Sequence, residues 1–201
     1  MKKLIILILT GSFLGCNSTE KKAATETEPI GATGASKNTE AFNESFQKLL
    51  VTYYQVKDAL VEYDTVKANV ASRELAIFAD SLKVDEISGD SAGQVKLTAG
   101  NLAGTITGSA LALAGETELR DKKKEFSLIS DAMYELVRTV RYDREKIFHQ
   151  HCPMALNDTE EAFWLSNNSA VVNPYLGKKH PKYRDAMLAC GDVADSLNFS
   201  N

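Results

Sequence analysis

Large apolar residues recur every three or four positions from Phe42 onward, and this spacing constrains the fold more than any other feature. On an α-helix, residues at this spacing share one face, so the pattern predicts an amphipathic helix that begins near Thr39. The apolar face of this helix consists of Phe42, Phe46, Leu49, Leu50, Tyr53, Val56 and Leu60.

A second helix is predicted to begin at Asp64-Thr65, because a short side-chain oxygen can accept a hydrogen bond from a free N–H group of a first turn. Alanines within this segment allow another helix to approach closely. We expect the buried face to comprise Val66, Val70, Ile77, Phe78 and Leu82, interleaved with Ala68, Ala71 and Ala79.

The next segment, residues 86–116, is apolar but rich in glycine, and it follows a turn signal at residues 88–91. Glycine costs roughly 1 kcal/mol in a helix interior relative to alanine, so a flexible loop is an alternative to a third helix. Gly100, Gly104 and Gly108 lie four positions apart. In a helix they would form a smooth stripe, and we expect a neighbouring helix to pack closely against it.

A fourth helical stripe follows Glu118, and the charged run at residues 120–125 is expected to form its solvated face. Its apolar members are Leu119, Phe126, Ile129, Met133, Leu136, Val137 and Val140. Four helices joined by short connections predict an all-α fold, an antiparallel up-and-down four-helix bundle. We expect the domain at residues 39–201 to consist of this bundle and an irregular C-terminal loop region at about 146–195.

The N-terminus is expected to lie outside this domain. Two lysines, an apolar run at residues 4–9 and small residues before Cys16 are typical of a signal peptide, here residues 1–15. The run is shorter than the roughly 20 residues that span a bilayer. Leu14-Gly15-Cys16 resembles a bacterial lipobox, which implies lipidation of Cys16 and a membrane anchor, although an ordinary secretory signal is the alternative. Residues 16–38 then form a flexible tether, and the domain lies in the cell envelope, facing the periplasm or the surface.

Charge and motif content exclude several classes of function. The 201-residue chain has a net charge of −4, without the basic excess that nucleic-acid binding requires. The sequence shows no phosphate-binding loop, paired catalytic carboxylates or serine nucleophile motif. His149, His151 and Cys152 are too close in sequence to place a base correctly against a thiol nucleophile. We therefore expect no enzymatic activity and no nucleic-acid partner.

Apart from Met1, Cys16 and Met133, every sulfur atom lies in two short C-terminal segments. Cys152 and Met154 flank a proline that stiffens the chain. Met187 and Cys190 are three residues apart, so a helical turn would point both to one side. Two thiolates and two thioethers together select soft ions, above all Cu(I).

Other residues near these segments are candidates to complete such a site. His151 is the first choice for a nitrogen ligand, followed by His149 and His180. Trp164 is a candidate cation–π cap over the metal, or simply a core residue. Zinc is less suitable, because its structural sites use four Cys or His ligands. Calcium and magnesium prefer oxygen ligands and are excluded here.

A disulfide between Cys152 and Cys190 is the main alternative to a metal site. With Cys16 lipidated, one pair of cysteines remains in a compartment where disulfides persist. The bond would close a loop of about 38 residues and contribute roughly 3 to 4 kcal/mol to stability. The protein would then be a non-catalytic structural or partner-binding lipoprotein. The two states are compatible, since oxidation would switch a metal site off. A third possibility is a small apolar ligand in the helical groove.

Six short segments of the chain together resemble one family of bacterial lipoproteins and secreted proteins whose function is unassigned. They are residues 53–60, 126–130, 151–155, 164–166, 173–177 and 187–191. In this order their sequences are Tyr-Tyr-Gln-Val-Lys-Asp-Ala-Leu, Phe-Ser-Leu-Ile-Ser, His-Cys-Pro-Met-Ala, Trp-Leu-Ser, Asn-Pro-Tyr-Leu-Gly and Met-Leu-Ala-Cys-Gly. The same domain occurs at the end of some efflux adaptor proteins for copper and heavy metals. The resemblance implies an extracytoplasmic helical domain linked to copper handling, with an efflux adaptor or a copper chaperone as partner.

The chain departs from this family pattern in one place. Residues 178–186 separate the Asn-Pro-Tyr-Leu-Gly segment from the Met-Leu-Ala-Cys-Gly segment, which the family joins almost directly. We expect this insertion to affect the position of Met187 and Cys190 relative to Cys152.

Overall fold

The computed structural model describes residues 38–200 and contains four long helices. They are α1 (Glu40–Val61), α2 (Thr65–Asp80), α3 (Gln94–Gly115) and α4 (Leu119–Val140), with a 3₁₀ turn at Val84–Glu86 between α2 and α3. Each helix packs against the next one along the chain. The four predicted helices are confirmed.

The start of α1 and its buried face agree with the sequence pattern. The Thr39 side chain accepts a hydrogen bond from the Phe42 N–H, and Asp64 accepts one from Lys67 at the start of α2. Every residue of the predicted apolar stripe of α1 is fully buried. The stripe of α4 is buried as well, with Leu119 packed at its edge.

The predicted buried face of α2 is wrong in three of its five positions. Val66, Val70 and Ile77 are 71%, 60% and 64% exposed, whereas Leu82 is buried and Phe78 partly so. The face that packs consists mainly of small residues, namely Ala68, Ala71, Ser72, Leu75, Ala76 and Ala79. Close contact with helices on two sides favours small side chains over branched ones, so the size of the apolar residues misled the assignment.

The third helix is confirmed, but the glycine stripe does not pack against a neighbour. Gly100, Gly104 and Gly108 are exposed, and a Cβ atom placed on any of them meets nothing within 4 Å. The close approach to the other helices is made by alanines instead, as Ala99, Ala103 and Ala110 are almost fully buried. The prediction that the glycine stripe packs against a neighbouring helix is therefore wrong, because the stripe faces solvent.

Replacing Gly104 with alanine is expected to stabilise the protein by about 0.5 to 1 kcal/mol, because alanine loses less backbone entropy in a helix. The new methyl group would meet open space. A urea unfolding curve measures the change, and Gly108→Ala should behave in the same way. An unchanged or lower unfolding midpoint in both variants would contradict the helical placement of these glycines.

The charged run at the start of α4 is only partly solvated, contrary to expectation. Lys122 is 1% exposed, and its ammonium donates hydrogen bonds to the Asn69 side chain (2.5 Å), to the Leu113 carbonyl (2.9 Å) and to the Glu116 carbonyl. Burial lowers the pKa of this amine. Lys122 therefore caps the free carbonyls at the end of α3 and joins α2, α3 and α4.

The C-terminal region is a three-stranded antiparallel sheet, so the all-α prediction is wrong here. The strands are β1 (Ile147–Leu156), β2 (Glu160–Ser166) and β3 (Asp192–Leu197), in the order β2-β1-β3. Asn157 and Asp158 both have positive φ, as a tight type I′ hairpin turn requires. Proline is normally excluded from central strands, but Pro153 lies where the register of β1 with β2 is irregular.

A buried tyrosine joins the sheet to the bundle. The Tyr53 hydroxyl of α1 lies 2.7 Å from the Ser130 Oγ of α4 and accepts a hydrogen bond from the Leu165 N–H of β2 at 2.9 Å. The Phe126 ring stacks on the Tyr53 ring with centroids 5.3 Å apart. Three segments that carry the family resemblance therefore meet at this tyrosine.

Within residues 38–200, no helix is long and apolar enough to cross a membrane. The predicted signal peptide, the lipidated Cys16 and all of the tether except Asn38 lie outside the described residues.

Candidate functional site: the Cys152–Cys190 pair

The sheet brings the two cysteines together. Cys152 lies in the central strand β1 and is fully buried, while Cys190 lies two residues before β3 and is partly buried. The pairing of His151 with Asp192 across β1 and β3 sets their relative position. The two sulfur atoms are 2.8 Å apart, and both cysteines are free thiols in this structure.

Asn173 holds the segment that carries Cys190. Its buried side-chain amide donates to the Cys190 carbonyl at 2.9 Å, and its backbone N–H donates to the Leu188 carbonyl at 2.8 Å. Its side-chain oxygen accepts from the Tyr175 and Leu176 N–H groups. One side chain therefore shapes its own loop and fixes the position of Cys190.

Gly191 allows the chain to pass closely over β1. Its φ is +132°, which side chains with a Cβ rarely adopt. A Cβ at this position would lie 2.2 Å from the His151 carbonyl oxygen and 3.2 Å from Cη2 of Trp164. Only glycine fits between the strand and the indole ring.

The insertion at residues 178–186 does not separate the cysteines. It folds on itself, with the Arg184 N–H bonded to the His180 carbonyl and the Ala186 N–H bonded to the Tyr183 carbonyl. The chain before the insertion is joined to the chain after it where the Asn173 N–H bonds the Leu188 carbonyl. The insertion is therefore a loop that protrudes from the domain. The chain that flanks it still brings Cys190 to Cys152.

Both predicted methionine ligands lie in the segments that carry the cysteines. Met154 and Met187 are half-buried and pack against the core. Met154 follows Cys152 by two positions in β1, but the register of β1 with β2 is irregular after Cys152, so strand alternation alone does not place the two side chains on one face. The Cys190 N–H donates to the Met187 carbonyl at 2.9 Å, which forms the turn that the spacing of three predicted.

The three histidines do not join the sulfur pair. His151 points to the opposite face of β1 from Cys152, where its ring nitrogens lie 3.1 Å from Glu161 and 3.4 Å from Asp192. His149 is buried between the rings of Tyr134 and Phe163. Burial lowers the pKa of His149 to about 4.

His180 lies in the insertion, 3.8 Å from Asp158 and stacked on Tyr183. In the part of the chain that the structure describes, no group of three or more His, Cys, Asp and Glu side chains could hold a metal ion. Of the predicted ligands, Cys152 and Cys190 are brought into direct contact.

Trp164 is a core residue that also borders the site. It is fully buried, and its ring lies 5.9 Å from the Tyr175 ring in an edge-on arrangement. Its Cη2 atom faces Gly191, the residue after Cys190. The indole ring therefore packs against the segment that carries Cys190.

The environment of the pair determines its chemistry. Burial and the neighbouring Cys152 thiol raise the pKa of the Cys190 thiol well above its ordinary value. This thiol is therefore protonated at neutral pH and is a poor nucleophile. The pair can exchange its protons for a soft metal ion, or lose two protons and two electrons to form a disulfide.

Sequence reasoning identified the cysteines but missed Asn173 and Gly191 as the residues that position them. Asn173 precedes a proline, a combination that favours a turn closed by the asparagine side chain. That signal was available in the sequence. The contact of Gly191 with β1 was not, because it depends on strand pairing.

No curated protein and no solved structure matches this chain. The match to a family model starts in α1 and ends before β1, so both cysteines lie outside it. Over that range it agrees with the resemblance to a family of unassigned function: residues 49–145 match the model of a family described as a protein of unknown function, DUF3347.

Proposed function

We propose that this protein is a non-catalytic cell-envelope protein that binds one Cu(I) ion through Cys152 and Cys190. The observation that carries the proposal is the contact of the two thiols, brought from β1 and from the segment before β3. Thiolate ligands favour Cu(I), and two such ligands suit an ion that accepts low coordination numbers. Zinc would require two more ligands, which residues 38–200 do not supply at this point.

Metal uptake requires a small opening of the pair. Metal–thiolate bonds are about 2.3 Å long for zinc, and at a similar length two bonds to sulfur atoms 2.8 Å apart would enclose a strongly compressed angle. The sulfur atoms must therefore separate by about 1 Å or more. Cys190 is the movable partner, because it lies in a turn and is partly exposed, whereas Cys152 is fixed in the central strand.

The half-buried methionines of the same two segments would supply weaker, neutral ligands. Met154 and Met187 can coordinate the ion as it enters or leaves, so that transfer proceeds by ligand exchange. Such a site serves as a copper chaperone, a buffer or a sequestering protein. Anchored through Cys16, the protein would exchange copper with an efflux adaptor or a copper chaperone in the envelope.

Anaerobic titration with Cu(I) against a competing chelator tests the proposal. The reduced protein is expected to bind one ion, and Cys152→Ser with Cys190→Ser is expected to weaken binding by at least about a hundredfold, because both thiolates are lost. Met154→Leu and Met187→Leu should weaken it less. Met133→Leu, a buried methionine of α4, is the matched control. Unchanged binding in the double serine variant would overturn the proposal.

A structural disulfide is the second candidate, favoured by the short sulfur–sulfur distance. The two thiols would each lose a proton and together lose two electrons to a disulfide oxidant, and the bond would fasten the C-terminal segment to β1. Alkylation of protein taken directly from the cell envelope, followed by non-reducing mass spectrometry, separates the two. Free thiols at Cys152 and Cys190 support the copper site, whereas complete resistance to alkylation that disappears on reduction supports the disulfide.

A further inference from the structure

A cavity lies away from the cysteines, between the first turn of α4, the β1–β2 turn and the insertion. Its volume is about 440 Å³, within the usual range for small-molecule sites. Its walls include Leu119, Lys123, Leu156, Tyr175 and Pro181. Neither cysteine lines it.

Lys123 is the unusual residue of this cavity. It is only 8% exposed, and its ammonium donates to the Tyr63 hydroxyl at 3.0 Å while lying 4.4 Å above the Tyr63 ring. Among residues 38–200, no Asp or Glu side chain forms an ion pair with the Lys123 ammonium. Burial lowers the pKa of this amine to about 8, so most molecules still carry the charge at neutral pH. A buried charge normally requires a partner, and a neutral hydroxyl is only a partial one.

The surrounding charges leave the cavity positive. Arg120 also lines it, and the one carboxylate in its wall, Asp158, is already paired with Lys182 at 3.3 Å. His180 lines it as well, 3.8 Å from Asp158, but burial lowers the pKa of this histidine, so it adds no positive charge at neutral pH. Arg120 contacts Asp121 at 3.5 Å on the exposed side. Lys123 belongs to the start of α4, where the helix dipole also favours negative charge. These groups together favour an anion.

Most of the remaining wall is apolar. Leu119, Ala155, Leu156 and Pro181 present carbon atoms, and Tyr63, Tyr175 and the polar Asn157 also line the cavity. We propose that this cavity binds a small organic anion, with a carboxylate or phosphate head group on the Lys123 ammonium and an apolar body against Leu119 and Leu156. The anion would complete the pairing that Lys123 lacks.

Isothermal titration with benzoate and with phenyl phosphate tests this site, with benzyl alcohol as the uncharged probe of similar size. At least one of the two anions is expected to bind in a one-to-one ratio. Lys123→Met should weaken that binding by at least about tenfold, since it removes the charge and keeps the length of the side chain. Lys124→Met is the matched control, because Lys124 is exposed and paired with Asp121. Equal binding of benzyl alcohol, unchanged binding in Lys123→Met, or binding by neither anion would overturn the proposal.

If Lys123→Met does not fold, a measurement on the unaltered protein tests whether an anion binds at Lys123. Trace acetylation with acetic anhydride at pH 8, read by mass spectrometry, compares the labelling rates of Lys123 and Lys124. Phenyl phosphate or benzoate is expected to slow labelling of Lys123 and to leave Lys124 unchanged. Equal rates with and without both anions would overturn the proposal. The metal-free, reduced protein is used, so the result is independent of copper binding.

Discussion

Asn173→Asp is expected to destabilise the protein by about 3 kcal/mol or more and to release Cys190 from Cys152. Asn173 is fully buried, and its amide donates to the Cys190 carbonyl at 2.9 Å. Aspartate keeps the oxygen that accepts from Tyr175 and Leu176, but it loses the donor and places an acceptor against a carbonyl. An unsatisfied buried group costs about 1 to 3 kcal/mol, and burial of a charge adds to this.

Two measurements check this expectation. Urea unfolding gives the loss in free energy, and the reaction of the reduced protein with a thiol reagent reports how often Cys190 leaves its position. We expect the reaction to accelerate by about tenfold, because local opening of this segment becomes easier. Asn168→Asp is the control, since that exposed side chain acts as an acceptor for the Ala170 N–H. Equal stability of both variants would show that Asn173 does not hold the loop.

Gly191→Ala is expected to destabilise the protein by roughly 3 kcal/mol, from a left-handed backbone that alanine adopts poorly and from a steric clash. The new Cβ would lie 2.2 Å from the His151 carbonyl oxygen, a backbone atom of the central strand that cannot easily move. The chain must therefore lift off β1 and carry Cys190 with it. The same substitution at Gly104 in α3, where the expected change is stabilising, is the matched comparison.

Unfolding by urea, together with Cu(I) titration of the variant, distinguishes the two consequences. We expect Gly191→Ala to lose both stability and copper affinity, whereas Gly104→Ala loses neither. A Gly191→Ala protein as stable as the natural one would contradict the close passage over β1. A stable core with unchanged copper affinity would show that Cys190 does not depend on this glycine.

Helix positions were accessible from the sequence because they depend on local spacing and capping. The stripe from Phe42 to Leu60 and the cap at Asp64 are local features, and the structure confirms them. The packing face of α2 could not be predicted from the sequence, because it depends on how closely α1 and α3 approach this helix. Lys122 illustrates the same limit: its burial depends on carbonyls at the end of α3 that the charge pattern does not reveal.

The sheet was missed because its signals are short and mixed. Strand β1 contains two histidines, a glutamine and a proline, so it lacks a clean alternation of apolar and polar residues. The Asn157-Asp158 turn was its best marker. The cysteine pair was recognised from residue type, but the exclusion of His151 from it depends on strand alternation, which a loop prediction could not provide.

The hydrogen bond between Asn173 and Leu188 has a consequence for how this protein can diversify. It joins the chain on the two sides of residues 178–186, so we expect changes within the insertion to have little effect on the position of Cys190. His180 and Pro181 of that same insertion line the cavity that contains Lys123. Exchange of this loop would therefore alter the choice of small ligand while leaving the thiol pair intact, which makes it a suitable place to graft new specificity.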